Sequence, residues 1–398
     1  MGKPLRDPRG IRILIPMPRE AVILEAVRTP VGKRGGSLKD TRPDDLAALV
    51  LQEIVDRSGI DKSTVEDVIL GCVTQIDEQG LNLARIVALV AGFPDSVPGT
   101  TVNRQCGSGQ QAMNFGAQGV IAGTYDLVIA GGVESMSRVP MGADAGVLNE
   151  RLMAKYEIVP QGISADLVAD KYKVTRQQMD EYSYHSHMRA IRAIDEGRFK
   201  REIVPVPVMD PEGNKRMFDT DEHPRRNTSL EKLASLPPAF KPDGRVTAGN
   251  SSGINDGAAA LLIATPEKAK ELGLEPRARI ASMAVVGTDP VVMLEGPMPA
   301  SRKALQKAGL TSDDIDLWEI NEAFASVPLA TMQTLGLDYA KVNVNGGAIA
   351  LGHPLGCSGA RLMTTLLHEM ERQDLRYGLS TLCIGFGQGI ATIIERPT

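Results

Sequence analysis

From Ala21 to the end of the chain, short apolar β-rich runs alternate with helical patterns, and this alternation constrains the fold more than any other feature. AVILEAVRTP, VEDVILGCV and YDLVIAGG read as buried strands, as do ARIASMAVVG, DIDLWEI, LSTLCIG and ATIIE. Between them, RPDDLAALVLQEIVDRSG and ASRKALQKAG carry helical periodicity and stop at glycine. Strands separated by helices predict an α/β chain with mainly parallel sheets covered on both faces.

One motif occurs twice. VNRQCGSGQQAMNFGAQGVIAG passes from a strand end through a tight turn into a helix, and the strand DLVIAGG follows. GHPLGCSGARLMTTLLHEM leads in the same way to LSTLCIGFGQG. Small residues with Ser-Gly, then helix, buried strand and glycines predict two similar α/β halves. Between them, roughly Ser135 to Gly249, lies a stretch of other character. It holds the helical pattern TRQQMDEYSYHSHMRAIRAIDEGRF, with Thr175 and Gln178 placed as a capping box. A polar, Pro-rich segment, EIVPVPVMDPEGNKRMFDTDEHPRRNTSLEKL, follows it. An insertion this long inside an α/β core is usually functional, a lid or an interface.

The four cysteines, Cys72, Cys106, Cys357 and Cys383, form no CxxC pair, so neither a disulfide scaffold nor a zinc site is expected, and free thiols suit a cytoplasmic setting. A net charge of −5 argues against a general nucleic-acid binder, so a polyanionic ligand would need a local basic patch. No apolar run approaches a membrane span. Residues 1–20 are Arg- and Pro-rich and read as an extension ahead of the fold, without a signal-peptide core; the terminal ERPT is no peroxisomal address.

Cys106, in NRQCGSGQQA, stands where a strand meets a helix start. The helix dipole and unpaired N–H groups there favour a thiolate, and the glycines let a carbonyl approach the backbone. The alternative is a small buried cysteine in a tight turn. His353, in NGGAIALGHPLGCSG, can draw a proton from a cysteine, or be a structural loop residue. Cys383 ends the strand LSTLC before Gly385, Gly387 and Gly389, where close backbone approach is possible; a buried strand cysteine is the plainer reading. Asn321 opens NEAFASVPLATM and suits a helix N-cap. Ser252, in TAGNSSGINDGAAA, suits a turn. His185 and His187 are two apart on a helix and make a poor metal pair. Solvated roles are expected for His223 and His368, and packing roles for Cys72 and Cys357.

Together these segments occur in the order and spacing of the thiolase family. NRQCGSG resembles the family's nucleophile segment, NEAFA its Asn segment, GHPLGCSG its histidine segment and CIGFGQG its second-cysteine segment. The resemblance runs from about Ala21 to the C-terminus. It implies the thiolase fold, with two α/β halves (21–134 with 250–273, and 274–398) and an inserted loop domain (135–249) for CoA binding and oligomer contacts. It also implies a homodimer or homotetramer. Carried over, Cys106 is the nucleophile that holds the acyl group, His353 activates it, and Cys383 is the acid/base at the substrate carbon. The backbone N–H groups of Cys106 and Gly385 form one oxyanion hole; His353 and a water held by Asn321 form the other. Ser252 matches a position that contacts pantetheine, and Arg225, with Arg226 and Lys232 adding charge, one near the CoA nucleotide. No metal or prosthetic group is implied, since CoA is a substrate.

The chain departs from the family pattern at a few places. Phe386 stands where most members have a third consecutive glycine, and Gln110 replaces an apolar residue. PQGISADLVAD stands where the family often reads HMG or MG followed by TAE, with Gln161 at the Met position. That segment lies near the acyl pocket in the family. These changes favour degradative cleavage of a 3-ketoacyl-CoA longer or bulkier than acetoacetyl-CoA. The alternatives are a biosynthetic acetoacetyl-CoA thiolase, a ketoacyl synthase-like condensing enzyme without a catalytic second cysteine, and a non-catalytic acyl-CoA-binding protein of the same fold.

Overall fold

The computed structural model describes residues 19–210 and 212–397, so the expected extension lies outside the described residues except for Arg19 and Glu20. In chain order the strands are β1 (Val22–Arg28), β2 (Gly32–Lys33), β3 (Asp67–Gly71), β4 (Gly99–Val102), β5 (Leu127–Ser135), β6 (Val206–Met209), β7 (Lys215–Phe218), β8 (Asn255–Ala264), β9 (Ala278–Gly287), β10 (Leu317–Ile320), β11 (Tyr377–Ile384) and β12 (Gln388–Glu395). Nine of them run in the order β10-β11-β12-β9-β1-β8-β5-β3-β4, with β2 beside β8.

This order is a duplication read outward from the β1/β9 junction. In the first half β1 pairs antiparallel with β8, β8 antiparallel with β5, and β5 parallel with β3, which pairs parallel with β4. In the second half β9 pairs antiparallel with β12, β12 antiparallel with β11, and β11 parallel with β10; Val342 adds a parallel bridge beside Trp318. The halves join through Val22 opposite Arg279 and Ile23 opposite Ala278. The sheet is therefore mixed, with an antiparallel centre that strand–helix alternation alone does not predict.

The two copies of the motif form the middle of the molecule. The helix Ser108–Ala122 follows β4 and the helix Leu355–Gln373 precedes β11, and they pack on one another. Their first turns touch backbone to backbone. A Cβ on Gly109 would sit 2.6 Å from the Gly356 carbonyl oxygen, and one on Gly359 2.3 Å from the Gln110 nitrogen. Only glycine permits that approach, which is why Ser-Gly occurs in both copies. Leu355 through Met370 are buried all round, as expected of a helix between two layers.

The halves differ at one connection. β11 turns into β12 through Gly385–Gly387, whereas β5 reaches β8 only after residues 136–254. This insertion contains the helix Arg176–Asp195, whose capping box at Thr175 and Gln178 forms on both sides. Its polar segment is not loop throughout: β6 and β7 make a hairpin. The fully buried Arg28 of β1 clamps the insertion to the core. Its guanidinium donates to Glu202 at 2.6 Å and to Asp221 at 2.7 and 2.9 Å, and Asp221 also accepts the Val31 N–H at 2.7 Å.

Candidate active site

Cys106 is presented by a strained turn. Asn103 Oδ1 accepts the Gln105 N–H at 2.9 Å, and Ser108 Oγ accepts the Arg104 N–H at 2.8 Å while donating to the Gln105 carbonyl at 2.6 Å. Held from both sides, Gln105 adopts a left-handed φ of 48°. Gly107 then presses on the end of β11, where an added Cβ would meet Ile384 at 2.6 Å. This contact brings the first motif against the second-cysteine segment.

Cys383 lies opposite Gly389, at the end of the β11–β12 hairpin. The hairpin turn needs left-handed backbone at two positions: Gly387 has φ 75°, and Phe386 has φ 59° with its ring 44% exposed. A glycine at the Phe386 position would take that conformation without strain, which accounts for the family preference. The N–H groups of Cys106 and Gly385 and the Gln161 side chain lie where they favour negative charge on the Cys106 sulfur.

Those donors do not make Cys106 acidic. Its thiol is pushed up to about 11, because burial outweighs the three donors and the nearby Glu134 also raises it. Desolvation thus outweighs the donors at the helix start, which by themselves lower the value as expected. Cys383 is driven higher still, by burial and by the adjoining Cys106. Both cysteines are protonated thiols in the unliganded chain.

His353 sits between the two Gly-dense segments at 4% exposure. Its tautomer follows from the partners. Ser358 Oγ donates to the Pro354 carbonyl at 2.7 Å, so at 2.6 Å from His353 Nδ1 it must accept, which places the ring proton on Nδ1. Nε2 then carries the lone pair and accepts from the Asn321 amide at 3.2 Å. Burial and the positive charge of Arg361 hold His353 down at about 3, a neutral imidazole. Asn321 Oδ1, also buried, has no partner among the described residues.

Three residues that the sequence reading did not single out position this group. Asn255, at the start of β8, accepts the His353 N–H at 3.1 Å and donates to the Gly32 carbonyl at 2.9 Å. Glu322 anchors the loop carrying Asn321: it accepts from Tyr182 at 2.8 Å, Ser186 at 2.7 Å, Asn343 at 2.8 Å and the Ile349 N–H at 3.1 Å. Glu134 ties the end of β5 to the start of the Leu355 helix through the Gly356 N–H at 2.8 Å. Asn255 and Glu322 lie inside motifs quoted above, GINDGAAA and NEAFA, and Glu134 just past the run YDLVIAGG, yet an isolated Asn or Glu carries no signal of its own.

A narrow cleft runs between the insertion and the core, lined by His187, His223, Arg225, Ser251, Gly253 and Ile349 among others. Ile349 shares an apolar cluster with Cys383. Arg225 is exposed at the outer end, with its N–H donating to His187 Nδ1 at 3.2 Å, whereas Arg226 is paired with Asp195. Ser252 is held by its N–H to the Ala323 carbonyl at 3.0 Å. His368 is buried rather than solvated as expected, whereas His223 is partly exposed. Burial holds His223 at about 4, His368 at about 3 and His187 at about 3. His368 bonds the Ala26 carbonyl at 3.0 Å. Cys72 and Cys357 pack in the two large core clusters.

Two buried thiols beside paired backbone donors, with a neutral imidazole whose open nitrogen faces a carboxamide, can hold an acyl group and move a proton at carbon. The sequence comparisons agree with that chemistry. The family models "Thiolase, N-terminal domain" and "Thiolase, C-terminal domain" match residues 21–267 and 274–396. A 3-ketoacyl-CoA thiolase of Yersinia pestis (strain Pestoides F) is 50% identical over 383 residues, covering 94% of this chain and 99% of that protein. One from Klebsiella pneumoniae subsp. pneumoniae is 47% identical over 385 residues, covering 95% and 99%. The crystal structure of the Bacillus anthracis acetyl-CoA acetyltransferase superposes with a TM-score of 0.89 at 44% identity, covering 95% of this chain and 99% of that one. Duplicated halves, the juxtaposed cysteines and full-length similarity lead to one conclusion: the chain belongs to the thiolase family.

Proposed function

We propose that this chain catalyses CoA-dependent cleavage of a 3-ketoacyl-CoA in the degradative direction. The observation that carries the reading is the meeting of Cys106, Cys383 and the Gly385 N–H at one point, with the Asn321–His353 pair held nearby by Ser358. His353 Nε2 takes the Cys106 proton, and the sulfur attacks the C3 ketone. The C2–C3 bond then breaks, leaving the acyl group on Cys106 as a thioester. The departing acetyl-CoA carbanion takes its proton from Cys383, whose raised pKa keeps it a thiol until then. The CoA thiol next gives its proton to the Cys383 thiolate and displaces the acyl group. The Cys106 thiolate recovers its proton from His353, so both cysteines return to their starting state.

In this reading the Cys106 and Gly385 N–H groups hold the oxyanion on the acyl carbon. His353, with a water on Asn321, holds the thioester oxygen of the acetyl unit; the unpaired Asn321 Oδ1 supports that role. On the same reading Ser252 contacts pantetheine and Arg225, exposed at the outer end of the narrow cleft, lies near the nucleotide phosphates, and no prosthetic group takes part. No helix among the described residues is long and apolar enough to cross a membrane, and we place the enzyme in the cytoplasm. β4 pairs only with β3, leaving an outer edge near exposed Leu81, Val90 and Phe115, which supports a homodimer or a dimer of dimers.

The test is thiolysis of acetoacetyl-CoA beside a long-chain or ring-bearing 3-ketoacyl-CoA, with Cys106→Ala as control. Faster cleavage of the larger substrate, abolished in the control, is expected. Preference for acetoacetyl-CoA would make the enzyme an acetyl-CoA acetyltransferase. CoA binding without turnover of either would reduce it to a binding protein.

A further inference from the structure

The first donor-bearing side chain met by the Cys106 sulfur is one that the family pattern does not place there. Gln161 stands at a position that often carries Met, an apolar side chain with no N–H to give. A Cβ on Gly385 would lie 3.4 Å from Gln161 Nε2 and 3.5 Å from Gln105 Oε1, so two carboxamides flank the glycine whose N–H faces the sulfur. Their polarity is matched, an amide nitrogen on one side and an amide oxygen on the other.

The Gln161 backbone is held in place from several directions. It opens the helix Gln161–Lys171, after Pro160 in extended conformation. Gly162 is pressed against Phe240, whose ring leaves no room for a Cβ. Ser326, in the helix that follows Asn321, donates to the Ala165 carbonyl at 3.0 Å. Asp166 accepts the N–H groups of Arg245 at 2.7 Å and Val246 at 3.2 Å. An anchored helix start fixes the point from which the side chain reaches, which favours electrostatic preorganisation.

We propose that Gln161 is a catalytic residue of this site, donating its carboxamide N–H to the Cys106 sulfur and stabilising the thiolate as it forms and as it leaves the acyl group. The proposal rests on Cys106 being the nucleophile. The thiolate needs such help here. Burial, and after it Glu134 on β5, disfavour negative charge at Cys106. His353 is the neutral base, and Gln105 presents its carbonyl oxygen rather than a donor to the shared space. Gln161 therefore supplies the side-chain donor of the pocket, beside the two backbone N–H groups.

The experiment uses the full-length enzyme and three variants, Gln161→Met, Gln161→Glu and Gln161→Asn. The rate of Cys106 alkylation by iodoacetamide is followed from pH 6 to 10, with the labelled residue identified by mass spectrometry, alongside kcat and KM for thiolysis. For Gln161→Met we expect the alkylation rate to fall about tenfold across the whole pH range, as a rise of about one unit in the Cys106 pKa requires, kcat to fall by about tenfold or more, and KM to change little. Gln161→Glu should fall further, because it sets a second carboxylate against the thiolate. Gln161→Asn, which withdraws the amide by one methylene, should lie between Met and wild type. An unchanged alkylation profile in Gln161→Met, or a change in KM alone, would overturn the proposal. An unreactive Cys106 in the wild-type enzyme would overturn the reading of the reaction as well, so the two failures are distinguishable.

Discussion

Replacing Glu134 with glutamine changes one oxygen to an NH2 group and leaves the volume almost untouched, so the structure sets the expected cost. Oε2 accepts the Val73 N–H at 2.9 Å and the Gly356 N–H at 2.8 Å; Oε1 accepts the Thr74 N–H at 3.1 Å and the Gln79 side chain at 2.9 Å. Four N–H donors converge on two buried oxygens, with the Cys72 thiol a more distant fifth at 3.9 Å from Oε1, and only an ionised carboxylate serves them all. Whichever way the amide turns, its nitrogen faces two donors. Each buried donor left without a partner costs about 1–3 kcal/mol, so Glu134→Gln should destabilise the enzyme by about 2–6 kcal/mol. Activity should fall with it, because the Gly356 N–H fixes the helix start that carries Ser358. Guanidinium unfolding at fixed protein concentration, compared with thiolysis rates under native conditions, measures both. A loss below about 1 kcal/mol with normal kcat would refute the claim that this carboxylate is an obligatory four-way acceptor.

Ser358→Ala removes the acceptor that keeps the His353 proton on Nδ1; kcat should drop by about ten- to a hundredfold with KM nearly constant, whereas an unchanged kcat would show that Asn321 alone sets the tautomer. Acid should unfold the protein steeply. His187, His223, His353 and His368 are held neutral in the fold, at about 3 to 4, while the unfolded chain protonates them below about 6.5. The stability they contribute is complete above that pH and is lost as pH falls toward 4. Glu319, raised to about 8 by burial, opposes one of the four by holding its own proton in the fold. About three protons therefore remain, or about 4 kcal/mol per pH unit, and a denaturation midpoint that stays flat from pH 7 to 5 would contradict the burial of these histidines.

Several elements were legible because local patterning and tertiary role coincide. β9 matches the run ARIASMAVVG residue for residue, and the helices Pro43–Ser58 and Pro297–Ala308 each end at a glycine in left-handed conformation, where their periodicity stops. The sequence pattern does not mark β8 as a strand. All ten of its residues are buried, so no alternation shows, and NDGAAALLIA opens with poor β-formers. Its neighbours impose the strand conformation: β1 and β5 both pair along its length.

The same division holds at the site. Sequence by itself singled out the groups proposed to carry the chemistry, because the thiols, the imidazole and the carboxamide stand in segments that resemble those of the thiolase family. Tertiary structure decided how those groups behave. It decided that burial raises Cys106 above its ordinary pKa, that His353 carries its proton on Nδ1, and that the Gln161 amide lies beside Gly385. It also decided that Glu134, Asn255 and Glu322 hold the segments together. Desolvation and hydrogen-bond partnership depend on atoms brought together from positions as far apart in the chain as Cys106 and Gly385, and only the packed fold makes them neighbours.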